Sequence, residues 1–202
     1  MFVCFCFRTY RMVYNIWAWL VEGLGTSAYV GGEAVLANRR VEMYSSTTDE
    51  TSKDRILEDF SSQNGNIEVL ICTVSFGLGI NIKDVSVVVH WGAPKNCLGY
   101  WQEIGRAGRD GRPASAILYP YPRSLLPRVC DKEFAESIRT PTDCIRRRRL
   151  YELKTDDMDM TSLRNGLPCD GVCESVCVCD LCKCCSFCYA KCECVSKRNN
   201  LF

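Results

Sequence analysis

With 202 residues and 47% hydrophobic composition, the chain has room for one ordinary domain with a buried core plus a small second one. A formal net charge of +1 announces no nucleic-acid partner through global charge, so any such contact must come from local clusters. In chain order, residues 2–7 predict a strand and 12–21 an amphipathic helix. Val13, Ile16, Trp17 and Leu20 form its core-facing stripe. Arg8 and Arg11 interrupt this apolar opening, which lacks a basic leader and a small-residue cleavage site. Neither a signal peptide nor a membrane span is expected, and the protein is placed inside the cell. Residues 23–41 read as a Gly-rich connection with one short strand near 28–30. Gly31 and Gly32 are not a phosphate loop, because no Gly-Lys-Ser/Thr follows. A helix is predicted over 51–62, with Ile56, Leu57 and Phe60 on one face. The run 67–72 has the look of a buried parallel strand that ends at Thr73 and a loop bearing Gly77 and Gly79. A second run, 85–90, stops at Trp91, Gly92 and Pro94; a short helix over 97–104 and a strand over 114–119 follow. In such an α/β sheet the functional loops are expected at the carboxyl ends of the strands.

Residues 102–111 read Gln-Glu-Ile-Gly-Arg-Ala-Gly-Arg-Asp-Gly. A guanidinium stays charged and presents a planar fork of donors that matches phosphate oxygens. Glycines let the backbone approach closely and turn sharply. Such a loop suits an arginine finger aimed at a nucleotide held by a neighbouring lobe; the plainer alternative is a solvated basic turn. Asp110 is expected to pair locally with an arginine. His90, the sole histidine, reads as a structural or surface residue. Trp91 is suited either to stacking on a base or to packing.

Residues 73–80 resemble helicase motif V and 100–111 resemble motif VI, in the wording of RecQ-type DNA helicases: Thr-x-x-Phe-Gly-x-Gly-Ile, then Tyr-x-Gln-Glu-x-Gly-Arg-Ala-Gly-Arg-Asp-Gly. Helicases of the DEAD-box kind usually carry His-Arg-x-Gly-Arg-x-Gly-Arg, which Gln102 and Glu103 do not match. Residues 5–9, Phe-Cys-Phe-Arg-Thr, resemble the opening of the second helicase lobe, and the likeness extends over about residues 2–188. The resemblance implies an α/β, RecA-like parallel sheet flanked by helices (1–122), followed by a small helical, Cys-rich zinc-binding region (123–188) and a tail (189–202) read as disordered.

It also implies site roles. Arg109 would reach the terminal phosphate of ATP, Arg106 would hold the same loop, and Gln102 would couple nucleotide to the lobe interface, with Gly105 beside them. Thr73, Gly77 and Gly79, with Arg8 and Thr9, would meet the DNA backbone. ATP with Mg2+ would be bound mainly by a first RecA-like lobe. Neither Gly-x-x-x-x-Gly-Lys-Ser/Thr nor Asp-Glu-x-His occurs here, so the chain reads as the second half of a motor, inactive alone. DNA, as single strand and duplex junction, is the implied partner, with 3′ to 5′ movement, work in repair and recombination, and the nucleus as its place if the source is eukaryotic. No membrane partner is expected.

Of 16 cysteines, ten fall between Cys169 and Cys194. A disulfide framework fits badly with an intracellular lobe, and four thiolates close a tetrahedral zinc site. The family places one ligand before a run of arginines and the rest in a cluster ending Cys-Asp-x-Cys, which implies Cys144, Cys177, Cys179 and Cys182. The spacing departs from the family, because one residue rather than two separates Cys177 from Cys179; Cys173 or Cys169 are alternatives to Cys177. Cys184, Cys185, Cys188, Cys192 and Cys194 are left for a second metal or a divergent tail. The arginines at 146–149 read as a solvated helix face or as phosphate contacts. The competing function is a zinc-dependent nucleic-acid-binding or metal-binding interaction protein without motor activity.

Overall fold

The computed structural model describes residues 2–7, 9–62, 64–73, 85–157 and 184–192. They fall into two compact units, 1–130 and 131–202.

The first unit is a five-stranded, wholly parallel sheet in the order β2-β3-β1-β4-β5. Its strands are β1 (Phe2–Phe7), β2 (Val41–Tyr44), β3 (Val69–Thr73), β4 (Val85–Trp91) and β5 (Ser115–Tyr119). Side chains alternate across a strand, and β3 sorts the core accordingly. Val69 and Ile71 face α1 (Tyr10–Leu24), where Val13 is fully buried and Ile16, Trp17 and Leu20 pack around it as the helical spacing predicts. Leu70 and Cys72 face the other way, onto Ile56 and Phe60 of α2 (Glu50–Ser61) and Ile104 of α3 (Cys97–Ile104). Helices therefore cover both faces, the arrangement a parallel sheet requires.

Local chemistry sets the helix ends. Thr9, Asp49 and Asn96 each accept a backbone N–H of the first turn of α1, α2 and α3, from Met12, Ser52 and Gly99. Gly25, at φ 54°, closes α1. Beyond it the strand expected near residues 28–30 does not form. Gly31 and Gly32 hold φ of 71° and 80°, which turns the chain, and one antiparallel bridge, Tyr29 to Arg39, is all that remains. β2 carries Glu42 inside the fold, where its carboxylate accepts from Arg39 at 3.4 Å and Arg55 at 2.7 Å. Among the described residues no helix is long and apolar enough to cross a membrane.

The second unit holds α4 (Lys132–Arg139), α5 (Ile145–Tyr151) and α6 (Ser186–Lys191). The arginine run does not form one solvated face: consecutive helical residues are about 100° apart, so four of them circle the helix. Arg149 is buried with its guanidinium 5.2 Å from the Phe134 ring centre, Arg147 pairs with Asp143 at 3.6 Å, and Arg146 faces solvent. α6 continues through Lys191, and Cys192 is 1% exposed.

Candidate functional site

The arginine loop leaves α3 at Gly105, whose N–H still donates to Trp101 O at 2.9 Å. Ala107 then forms a parallel bridge with Val85, and Gly108 N–H donates to Val85 O at 3.0 Å. Gly108 sits at φ 70°, and a Cβ there would stand 3.1 Å from Arg112 O, so this sharp turn admits only glycine without strain. Asp110 pairs with Arg112, as expected, and that bond holds the Asp110 carboxyl below the usual carboxylate range. Arg109 is exposed and folds back, its Nε donating to Gly105 O at 2.9 Å. Arg106 is half-buried in the same loop, and Gln102 is exposed on α3.

Val85 is the first residue of β4, so the loop lies at the amino ends of the strands, not at the carboxyl ends where the sequence led us to expect it. The cause is α3. After Gly92 turns the chain at φ 96°, the helix runs back along the sheet and returns it to the start of β4. Thr73 belongs to the opposite edge. It ends β3, in register with Phe7, while His90 pairs with Cys6 next door. Six residue steps along β4 separate the two edges by roughly 20 Å.

At the carboxyl edge Thr73 is buried, and its hydroxyl has no hydrogen-bond partner among the described residues. Thr9 uses its hydroxyl to cap α1. Arg8, Gly77 and Gly79 lie outside the described residues. Trp91 is exposed against the equally exposed Tyr119, ring centres 6.0 Å apart. A cleft of about 310 Å³ opens beside the first turn of α2, lined by Arg39, Thr47, Thr48, Ser52 and Arg55. Its two guanidiniums share the single carboxylate of Glu42.

Sequence reasoning missed Glu103. His90 is 2% exposed, and its Nε2 lies 2.6 Å from Glu103 Oε2. Only the tertiary fold brings β4 and α3 together, so no local pattern signals the pair.

In the second unit the sulfurs of Cys144, Cys184, Cys185 and Cys188 all lie within 4.8 Å of one another. Cys144 precedes α5, Cys184 and Cys185 precede α6, and Cys188 sits one turn into α6. Tetrahedral zinc with Zn–S of about 2.3 Å would bring sulfurs to about 3.8 Å, and Cys144 and Cys184 already stand at 3.5 Å. Cys144 Sγ also accepts Arg147 N–H at 3.4 Å. Burial, then the contact with Cys144, pushes the Cys184 thiol up to about 11. Burial and the bond to Cys185 raise Cys188 as well. In Cys185 burial also acts upward, but the N–H groups of Cys188, Ile145 and Arg146 outweigh it and lower the thiol. Four crowded thiols cannot all ionise without a cation among them, so the donor set fits a metal dication. Of the ligands implied by resemblance, Cys144 joins this cluster, whereas Cys177, Cys179 and Cys182 lie outside the described residues.

Residues 21–111 match the helicase conserved C-terminal domain. A protein of Acanthamoeba polyphaga mimivirus named as an ATP-dependent RNA helicase is 62% identical over 48 residues, 24% of this chain and 9% of that protein. The Schizosaccharomyces pombe ATP-dependent DNA helicase hus2/rqh1 is 30% identical over 149 residues, 65% of this chain and 11% of that protein. The Haemophilus influenzae ATP-dependent DNA helicase RecQ is 43% identical over 70 residues, 35% of this chain and 11% of that protein. The chain thus spans about a tenth of the length of these curated relatives. In fold it is similar to a Saccharomyces cerevisiae Dbp5 variant solved with RNA and ADP BeF3, with a TM-score of 0.50, 22% identity, and coverage of 67% of this chain and 32% of that one. A parallel sheet with motif VI wording folded against its amino edge goes together with these likenesses to the helicase conserved C-terminal domain and to RecQ-type DNA helicases.

Proposed function

We propose that the chain is the second RecA-like lobe and zinc region of an ATP-dependent 3′ to 5′ DNA helicase acting in repair and recombination. The observation that carries this reading is the division of the sheet. The loop with Arg106 and Arg109 lies at one edge, and Thr73 with the α2 cleft lies at the other.

At the amino edge, an exposed guanidinium on a tightly turned loop suits a terminal phosphate presented by another lobe. Arg109 would exchange its bond to Gly105 O for that phosphate and stabilise the charge of phosphoryl transfer. Arg106 would steady the loop, and exposed Gln102 would face the lobe interface. At the carboxyl edge, Thr73 and the hydroxyl-lined cleft would follow a nucleic-acid backbone. A rigid strand joining the edges lets closure on nucleotide be felt at the strand path. Mg2+ with ATP belongs mainly to the first lobe. DNA rather than RNA is the favoured partner, because Gln102 and Glu103 carry the RecQ wording. The protein works inside the cell, in the nucleus of a eukaryotic source. Zinc, held by Cys144, Cys184, Cys185 and Cys188, supplies cohesion to the second unit rather than chemistry.

Single-stranded-DNA-stimulated ATP hydrolysis tests the reading. The chain alone is expected to show none above background. The protein that joins it to a first lobe is expected to hydrolyse ATP and to lose activity with Arg109→Ala. DNA affinity that ignores both nucleotide and Arg109 would instead favour the reading supported by the thiol cluster, a metal-dependent binding module without a motor.

A further inference from the structure

We infer that His90 and Glu103 are a positioning pair that aims the arginine loop, a role that rests on the nucleotide-site reading of Arg106 and Arg109. His90 is the penultimate residue of β4, and Glu103 lies in the last turn of α3. A carboxylate only accepts hydrogen bonds, so Nε2 donates across their 2.6 Å separation. Tyr100, one turn earlier on α3, lays its ring 5.5 Å from the imidazole, so two side chains of one helix face grip the same histidine. One residue past Glu103 the helix ends, and Ala107 and Gly108 are tied to Val85. Arg106 is therefore clamped between two attachments to one strand: Glu103 on His90 near its carboxyl end, and 107–108 on Val85 at its amino end.

The choice of residues matters. A buried polar pair contributes little more stability than a well-packed apolar pair of the same volume, because desolvation offsets much of its attraction. What it adds is direction. Apolar packing tolerates a small rotation or slide of α3, whereas a short hydrogen bond between buried His90 and half-buried Glu103 does not. A displacement of about 1 Å is enough to cost an enzyme roughly a hundredfold in turnover. β4 thus acts as a ruler joining the Thr73 edge to the arginine loop, with His90 and Glu103 keeping α3 in step with it.

The first measurement is nitrogen-15 NMR of the arginine Nε–H groups in the full chain, comparing Glu103→Met with the double variant His90→Phe/Glu103→Met. The apolar pair is expected to restore whatever melting temperature the single variant loses. Arg109 Nε–H, bonded to Gly105 O in the parent, is expected to exchange about tenfold faster in both variants. Unchanged Arg109 exchange overturns the proposal. So does recovery of Arg109 protection together with melting temperature in the double variant, which marks a pair that only fills space. If the single variant does not fold, the double variant carries the test.

Hydrolysis with the first lobe present separates this inference from the reading beneath it. Arg109→Ala without effect removes the nucleotide reading and the pair's role with it. If Arg109→Ala abolishes turnover and the double variant keeps its kcat, only the positioning role falls. A kcat lowered about a hundredfold at unchanged KM for ATP in the double variant supports it.

Discussion

The lobe buries Phe60, Ile67, Leu70 and Ile71 at 1% exposure or less around a parallel sheet. The second unit places short helices of seven and six residues, α5 and α6, around four converging sulfurs, and stacks an arginine on Phe134. An apolar core of the first kind holds by surface removed from water and does so without help. Isolated helices as short as those of the second are far below the length that sustains itself, so their order must come from what ties them together. The first unit therefore holds without its exposed charged residues, while the order of the second depends on what joins its helices.

The largest expected effect breaks the second unit alone. Zinc-thiolate sites contribute roughly 10 kcal/mol of folding free energy at neutral pH. Chelation, Cys144→Ser or Cys188→Ser should therefore abolish α5 and α6, read by amide exchange, while β3 and β4 keep their protection. Retention of one tightly held zinc in Cys188→Ser would move the site to other cysteines. Phe60→Ala should break the lobe in the complementary way, costing about 3–5 kcal/mol, with metal content unchanged on elemental analysis. Arg109→Ala separates function from both. It should lower ATP hydrolysis in the joined protein by about a thousandfold without shifting the melting temperature, because the side chain is exposed.

A smaller effect sharpens the comparison through pH. Cys184, raised to about 11, and Cys188, also raised, keep their protons at neutral pH without metal. Loading zinc must expel those protons, so affinity should rise with pH and fall as pH drops. Calorimetry in buffers of different ionisation heat should record the release, and a proton count of zero would exclude thiol ligation. The smallest expected effect is Gly108→Ala, which strains a residue at φ 70° and crowds Arg112 O. It should cost the lobe about 1–2 kcal/mol and reduce turnover more than stability, since the strain falls within the arginine loop.

Much of the lobe was legible in the sequence. Apolar runs at 67–72 and 85–90 became β3 and β4 within a residue or two, and the stripe of Val13, Ile16, Trp17 and Leu20 became the buried side of α1. β2 was not legible. Glu42 breaks its apolar pattern, and the two arginines that make its burial tolerable come from residues 39 and 55. The strand expected near Ala28 failed because two left-handed glycines follow it directly. The wording of 102–111 pointed to a phosphate-facing loop and to its arginines, yet the edge of the sheet it occupies depended on the direction of α3.

By itself the sequence determined the α/β class, most of the strands and helices in order, and the presence of a Cys-rich region. These depend on periodicity and residue type, which act over a few residues. Tertiary structure alone decided that Glu103 meets His90, that the arginine loop returns to the start of β4, and that Cys144 gathers with Cys184, Cys185 and Cys188. Each of these joins residues brought close by packing rather than by spacing. Side chains from separate elements meet only after the core has set the direction and separation of those elements.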